Sequence, residues 1–168
     1  MTKPIKSCEI ADLLDQYGAS LELYASQWVE SPEDCVQEAF VALASQTTQP
    51  ENQVAWLYRV VRNRALNDFR SSRRRNERER IAAKPEFRPA DHSIQSVNEG
   101  IRIELLNALE GLPTEDRELI VLRIWSGLGW REIAELTSTS SSTAQRRYVR
   151  ALEKMKLRLE TECLTKPD

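Results

Sequence analysis

Glycine and proline are scarce, with five and seven among 168 residues, and apolar residues seldom alternate with polar ones. Little in the chain breaks a helix, and little specifies a strand. The three cysteines, Cys8, Cys35 and Cys163, are odd in number and far apart. That suggests reduced thiols in a cytoplasmic protein and not a disulfide framework. There is one histidine, His92, and the carboxylates show no metal-ligand spacing. No catalytic constellation is visible, so neither an enzyme nor a cofactor is expected. No apolar run reaches the length of a membrane span, and the opening "MTKPIKSCEIADL" lacks a signal-peptide core.

What is present is charge and helix-forming residues. Charged residues make up 30% of the chain and apolar ones 40%, in long stretches of Ala, Leu, Glu, Arg and Gln. These favour helix and predict an all-α fold. The net charge of −2 hides a polarity along the chain. Residues 1–50 carry two lysines against eight carboxylates, whereas residues 59–80 carry nine arginines against three. A protein without overall basicity can still hold nucleic acid through such a segment. A solvated helix face accounts for the same charges equally well at this point.

Helical periodicity divides the chain into two blocks. In "CEIADLLDQYGASLELYASQWV", Ile10, Leu13, Leu14, Tyr17, Leu21 and Tyr24 share a helical face. "SPEDCVQEAFVALAS" opens with start signals: Ser31 as N-cap, Pro32 at the first helical position, Glu33 and Asp34 in the first turn. After the loop "QTTQPENQ" a long helix is expected from about Val54 to Ser72 or beyond. Residues 81–100, with two prolines and no sustained stripe, read as a flexible linker. The second block begins near Ile101. Its first helix is stopped by Gly111 and Pro113. A second is capped by Thr114 with Glu115 and Asp116 behind it. A short third, "WREIAELT", precedes a basic helix from about Ser142 to Thr161.

On the long helix, Leu57, Val61, Ala65 and Phe69 form the expected core stripe, flanked by Val54 and Val60. The opposite side carries Trp56, Arg59, Asn63, Asn67 and Arg70, with Arg74 next in line. An aromatic ring, guanidinium groups and carboxamides in a row can hold unstacked bases. The ring stacks, arginine neutralises phosphate, and asparagine bonds a base edge. A solvated face with one partly buried tryptophan would give the same stripe.

The C-terminal block, "LGWREIAELTSTSSSTAQRRYVRALEKM", reads as helix, tight turn, helix. Ile133, Ala134 and Leu136 would pack the first helix, the small Ala134 allowing a close crossing. Ala144, Tyr148, Ala151, Leu152 and Met155 would form the inner stripe of the second. That leaves Thr143, Gln145, Arg146, Arg147 and Arg150 where a recognition helix meets base edges. Ser141 or Ser142 can cap this helix, and the N–H groups beyond it can hold a phosphate. An αα-hairpin with a polar turn and no ligand is the alternative.

Three segments in order resemble the bacterial sigma factors of the extracytoplasmic-function (ECF) class, compact members of the primary sigma family. "SPEDCVQEAFVALA" resembles the core-polymerase-binding helix and "AWLYRVVRNRALNDFRSSRRR" the promoter-melting helix. "LEGLPTEDRELIVLRIWSGLGWREIAEL" with "SSTAQRRYVRALEKM" resembles the domain that reads the minus-35 element. The resemblance implies two small helical domains, residues 1–80 as sigma region 2 and residues 101–168 as sigma region 4, the latter a helix-turn-helix, joined by the linker 81–100.

It further implies that Asp34, Gln37, Glu38 and Phe40 meet the clamp coiled coil of core RNA polymerase, and that the flap is also a partner. Trp56, Arg59, Asn63, Asn67 and Arg70 would take the opened minus-ten strand, beside a loop, "SQTTQPENQ", that accepts a flipped base. Arg73, Arg74 and Arg75 would hold flanking phosphates. Ser142, Thr143, Gln145, Arg146, Arg147 and Arg150 would meet the minus-35 element. The linker would lie in the RNA-exit path, and an anti-sigma factor would regulate the chain. Ser141, Ser142 and the Gln145–Arg146 pair depart from the family pattern, so a promoter preference of the chain's own is expected there, with Gln145 favouring adenine and Arg146 guanine or phosphate. The rival function is a stand-alone helix-turn-helix regulator, which gives no role to "EDCVQEAF" or to the tryptophan–arginine face.

Overall fold

The structure, a computed structural model, describes residues 5–79 and 99–165. The described residues form seven α-helices and no strand, as the composition predicts. They belong to two compact units, Met1–Ala90 and Asp91–Asp168. The expected linker lies, up to residue 98, outside the described residues, and so does His92.

The N-terminal unit holds α1 (Ser7–Ala25), α2 (Pro32–Ala44) and α3 (Gln53–Glu79), each packed on the other two. Helix α2 starts where its signals place it, with Ser31 at the N-cap and Pro32 first, although the serine side chain makes no capping bond. Helix α3 is capped by Asn52, whose Oδ1 accepts the Ala55 N–H at 2.9 Å. That cap lies in a loop whose carboxamides carry no helical periodicity. Leu21, Tyr24, Val36, Ala39, Leu43, Leu57, Tyr58, Val61 and Ala65 close the core. The Tyr24 ring meets the rings of Trp28 and Tyr58 edge-on, with centroids 5.1 and 5.2 Å away. Edge-on contact suits the positive rim and negative face of aromatic rings. Leu14, expected on the inner stripe of α1, is exposed instead. It lies one and two turns ahead of the buried Gly18 and Leu21 on the same face, in the first half of α1, where no described residue is buried.

The C-terminal unit holds α4 (Glu99–Glu110), α5 (Thr114–Trp125), α6 (Trp130–Leu136) and α7 (Ser141–Thr165). Helix α7 packs on all three others. Thr114 is the first helical residue of α5 and not its cap. Pro113 holds the cap position, its carbonyl accepting the N–H groups of Asp116 and Arg117 at 3.0 Å. Between α5 and α6, Gly127 has φ +69°, a conformation that costs glycine nothing. The turn between α6 and α7 also passes through the left-handed region, at Ser138 with φ 55°. There the Thr139 N–H reaches the Ala134 carbonyl at 2.9 Å and the Ser138 N–H reaches Glu135 at 3.4 Å. This pair of bonds is the helix-ending motif in which glycine is the usual left-handed residue. Ile133, Ala134, Leu136, Ala144, Ala151 and Met155 are buried as the sequence predicts. Leu152 is not: it is 36% exposed, on the rim beside the buried Ala151.

Candidate nucleic-acid interfaces

The outer face of α3 is built by the burial of its inner face. Leu57, Val61 and Ala65 are fully buried, with Val54, Val60 and Phe69 half-buried at the edges. Helical rotation then turns Arg59, Asn63, Asn67 and Arg70 outward, all exposed, with Trp56 half-buried at the head of the row. Arg73, Arg74 and Arg75 continue the exposed face, Arg75 reaching the Ser72 hydroxyl at 3.5 Å. The stripe expected from the sequence is therefore assembled on one side of one helix. Its ring is half-buried and its polar groups are exposed to solvent. The loop ahead of α3 is tied to α1: Gln49 Nε2 lies 3.2 Å from the Glu9 carboxylate, which also accepts the Lys6 N–H at 3.2 Å. That tether joins residues 40 apart and has no local sequence signal.

On α2, Asp34, Gln37 and Glu38 are exposed, whereas Phe40 is only 6% exposed and belongs to the core. Arg64 reaches across from α3 to form an ion pair with Glu38. The two side chains, with Gln37, Val41 and Ala42, line a shallow cleft. Val41 is 62% exposed, an apolar group among acids that periodicity alone leaves unassigned. Beneath this face Cys35 is buried, its Sγ 3.8 Å from Asp68 Oδ2. Burial first, then the Asp68 and Glu38 carboxylates, push its thiol up to about 11. Cys8 is exposed, and the side chain of Cys163 lies outside the described residues.

In the C-terminal unit the start of α7 is set by Ser140, not by Ser141 or Ser142. Its hydroxyl accepts the Thr143 N–H at 3.2 Å and donates to Thr143 Oγ1 at 2.8 Å. The left-handed Ser138 brings the chain round one residue earlier than expected, which leaves Ser141 and Ser142 inside the first turn. Ser141 instead faces the Trp130 carbonyl at 3.4 Å. The Trp130 ring lies edge-on to Tyr148, centroids 5.2 Å apart, under the Arg123 guanidinium at 5.0 Å. Trp130 thus joins α5, α6 and α7, a role its position in "GLGWREI" does not announce.

Beyond the cap, Ser142, Gln145, Arg146 and Arg150 are exposed, and Thr143 is half-buried in the capping network. Val149, 53% exposed, stands on the same outward side, an apolar residue whose type alone gives no sign of that position. Arg147 behaves differently: its guanidinium is bonded to Asp116 and Glu115 of α5, and the Glu115 and Asp116 carboxylates hold its charge more firmly than usual. Among the described residues no group of His, Cys, Asp and Glu could hold a metal, and no helix is long and apolar enough to cross a membrane.

Comparison with known proteins agrees with this geometry. The sigma-70 region 2 family model matches residues 13–75 and the sigma-70 region 4 model residues 102–155. Together these matches cover more than two thirds of the chain. The chain is 29% identical over 142 residues to a Xanthomonas campestris protein named as RNA polymerase sigma factor RfaY, covering 79% of this chain and 35% of that one. It therefore spans about a third of that relative's length. It is 29% identical over 140 residues to RNA polymerase sigma factor SigV of Bacillus subtilis, covering 79% of this chain and 78% of SigV. The fold matches sigma factor RpoE of Bartonella quintana, crystallised with the anti-sigma factor NepR, at a TM-score of 0.74 and 22% identity, over 92% of this chain and 98% of that one. It also matches CnrH, solved with the cytosolic domain of CnrY, at a TM-score of 0.57 and 23% identity, over 93% and 90% of the two chains. The chain belongs to the sigma-70 family of RNA polymerase sigma factors and carries regions 2 and 4, the pair that makes up its compact extracytoplasmic-function members.

Proposed function

We propose that this chain binds core RNA polymerase and directs it to promoters, opening the minus-ten element with α3 and reading the minus-35 element with α7. The observation that carries the reading is the exposed row of Arg59, Asn63, Asn67 and Arg70 behind a half-buried Trp56. A regulator that only binds duplex DNA has no use for a platform that stacks and bonds unstacked bases. The acidic outer face of α2, with Asp34, Gln37, Glu38 and the apolar Val41, suits a basic partner helix with an apolar contact at its centre, as the clamp coiled coil would be. Phe40 supports that face from below. On α7, Ser142, Gln145, Arg146 and Arg150 would face the major groove, while Arg73, Arg74 and Arg75 add phosphate contacts whose strength falls with salt.

In this role the chain performs no chemistry itself. It lends sequence specificity and strand-opening energy to polymerase in the cytoplasm. Residues 1–80 would act as region 2, residues 101–168 as region 4, and 81–100 as the linker between them. An anti-sigma factor is the expected regulator, a partner class supported by the RpoE–NepR and CnrH–CnrY structures.

Run-off transcription from a library of genomic fragments tests the reading. Core polymerase with this chain should yield discrete transcripts that neither gives alone. Core binding without transcripts would point to a scaffold, and DNA binding without core binding to a stand-alone regulator.

A further inference from the structure

Arg147 lies in the middle of the basic half of α7, yet its guanidinium is turned toward α5. Its Nε is 3.1 Å and its Nη2 3.0 Å from Asp116 Oδ1, and Nη2 is 2.7 Å from Glu115 Oε2. Lys154, two turns further along α7, places Nζ 3.6 Å from the other Asp116 oxygen. The Asp116 side chain is only 10% exposed. A carboxylate largely withdrawn from water is thus held by two cations from one flank of α7. Residues seven apart share a helical face, so this flank is a line along α7 and not a single point. It lies between the buried row of Ala144, Ala151 and Met155 and the outward row of Gln145, Arg146 and Arg150.

A guanidinium presents its donors in one rigid plane. With that plane committed to α5, it cannot also lie against a base edge on the outward side. A carboxylate this poorly hydrated would in turn be costly to leave alone. We propose that Arg147 is a positioning residue: through Asp116 it fixes the rotation of α7 about its own axis, so that Gln145, Arg146 and Arg150 meet the major groove, and it reads no base itself. This deepens the minus-35 role proposed for α7 and rests on it.

The test begins with selection of minus-35 duplexes from random DNA by the full chain bound to core polymerase. Affinity for the selected duplex is then measured across a range of salt. Arg147→Lys keeps the charge and loses the fork; Asp116→Asn removes a negative charge from a unit that approaches DNA. Both should weaken binding to the selected duplex by roughly tenfold, with the slope of log affinity against log salt unchanged. Asp116→Asn is the sharper of the two, because loss of an acid near DNA otherwise raises affinity. Where either change lowers the melting temperature below the assay range, Asp116→Leu combined with Arg147→Met replaces the ion pair with apolar packing. That double variant should recover part of the lost affinity. Wild-type binding by Arg147→Lys, or a salt slope reduced by about one, would overturn the proposal. So would a changed base preference at a single position. If the wild-type holoenzyme enriches no sequence, the minus-35 reading itself fails and this role with it.

Discussion

The hydroxyl of Tyr58 donates to the hydroxyl of Ser20 at 2.9 Å, joining α3 to α1 through the interior of the N-terminal unit. Ser20 passes the bond on, donating to the Tyr17 carbonyl at 2.9 Å. Removing one end of such a pair is not equivalent to removing the other. Tyr58→Phe deletes a polar group and leaves Ser20 bonded to Tyr17, which should cost about 1 kcal/mol. Ser20→Ala strands the fully buried Tyr58 hydroxyl and should cost more, on the order of 2 kcal/mol. Urea unfolding of the two variants measures the difference, and the combined variant should fall short of the sum.

Two buried acids set an alkaline limit on stability. Cys35 is pushed up from 9.0 to about 11, mainly by burial, and burial likewise lifts the Tyr58 phenol above its ordinary range. Each group keeps its proton longer in the folded chain than in the unfolded one, so the native state binds more protons as pH rises. The Cys35 contribution is full below pH 9 and is lost as pH climbs through 11, whereas that of Tyr58 persists to higher pH. At pH 8 the buried Cys35 is less ionised, and less reactive, than an ordinary exposed thiol. Iodoacetamide labelling mapped by mass spectrometry should therefore modify the exposed Cys8 in the folded chain and Cys35 only after unfolding.

How much of this was legible in the sequence depends on the range of the interaction. The core stripe of α3 and the inner row Ala144, Ala151 and Met155 follow from helical periodicity, because burial selects apolar residues at fixed rotation. Leu152 breaks the pattern because an apolar side chain one residue off the buried row can stay at the rim, and Leu14 because the buried part of α1 begins only at Gly18. The capping errors share one cause. Thr114, Ser141 and Ser142 are good caps by type, but the cap is fixed by where the chain turns, at Pro113 and at the left-handed Ser138. Contacts between distant residues were out of reach. Nothing local marks Arg147 as a partner of Asp116, Gln49 as a partner of Glu9, or Trp130 as the hub of three helices.

Ser138 offers a test of that turn. A residue with a Cβ pays for the left-handed conformation by about 1–2 kcal/mol, whereas glycine does not. Glycine's freer unfolded chain offsets part of this. Ser138→Gly should then stabilise the C-terminal unit by about 0.5–1 kcal/mol, read as a rise in melting temperature. Ser138→Val should lower it.

The α2 face makes a prediction about polymerase. Asp34→Ala with Glu38→Ala should weaken core binding by roughly tenfold, and the loss should shrink as salt is raised. Glu38 pairs with Arg64 at the surface, and such exposed pairs add about 0–1 kcal/mol. Circular dichroism should accordingly show the double variant folded. Unchanged affinity in a holoenzyme assembly titration would remove α2 from the polymerase interface.

The most direct measurement is permanganate footprinting of promoter DNA in complex with the reconstituted holoenzyme. The α3 assignment predicts reactive, unpaired thymines across the minus-ten element with the wild-type chain and none with core polymerase alone. It further predicts their loss with Trp56→Ala or Asn63→Ala, while core binding stays at the wild-type level. Normal opening by both variants would contradict the assignment of the Trp56–Arg70 face to strand opening.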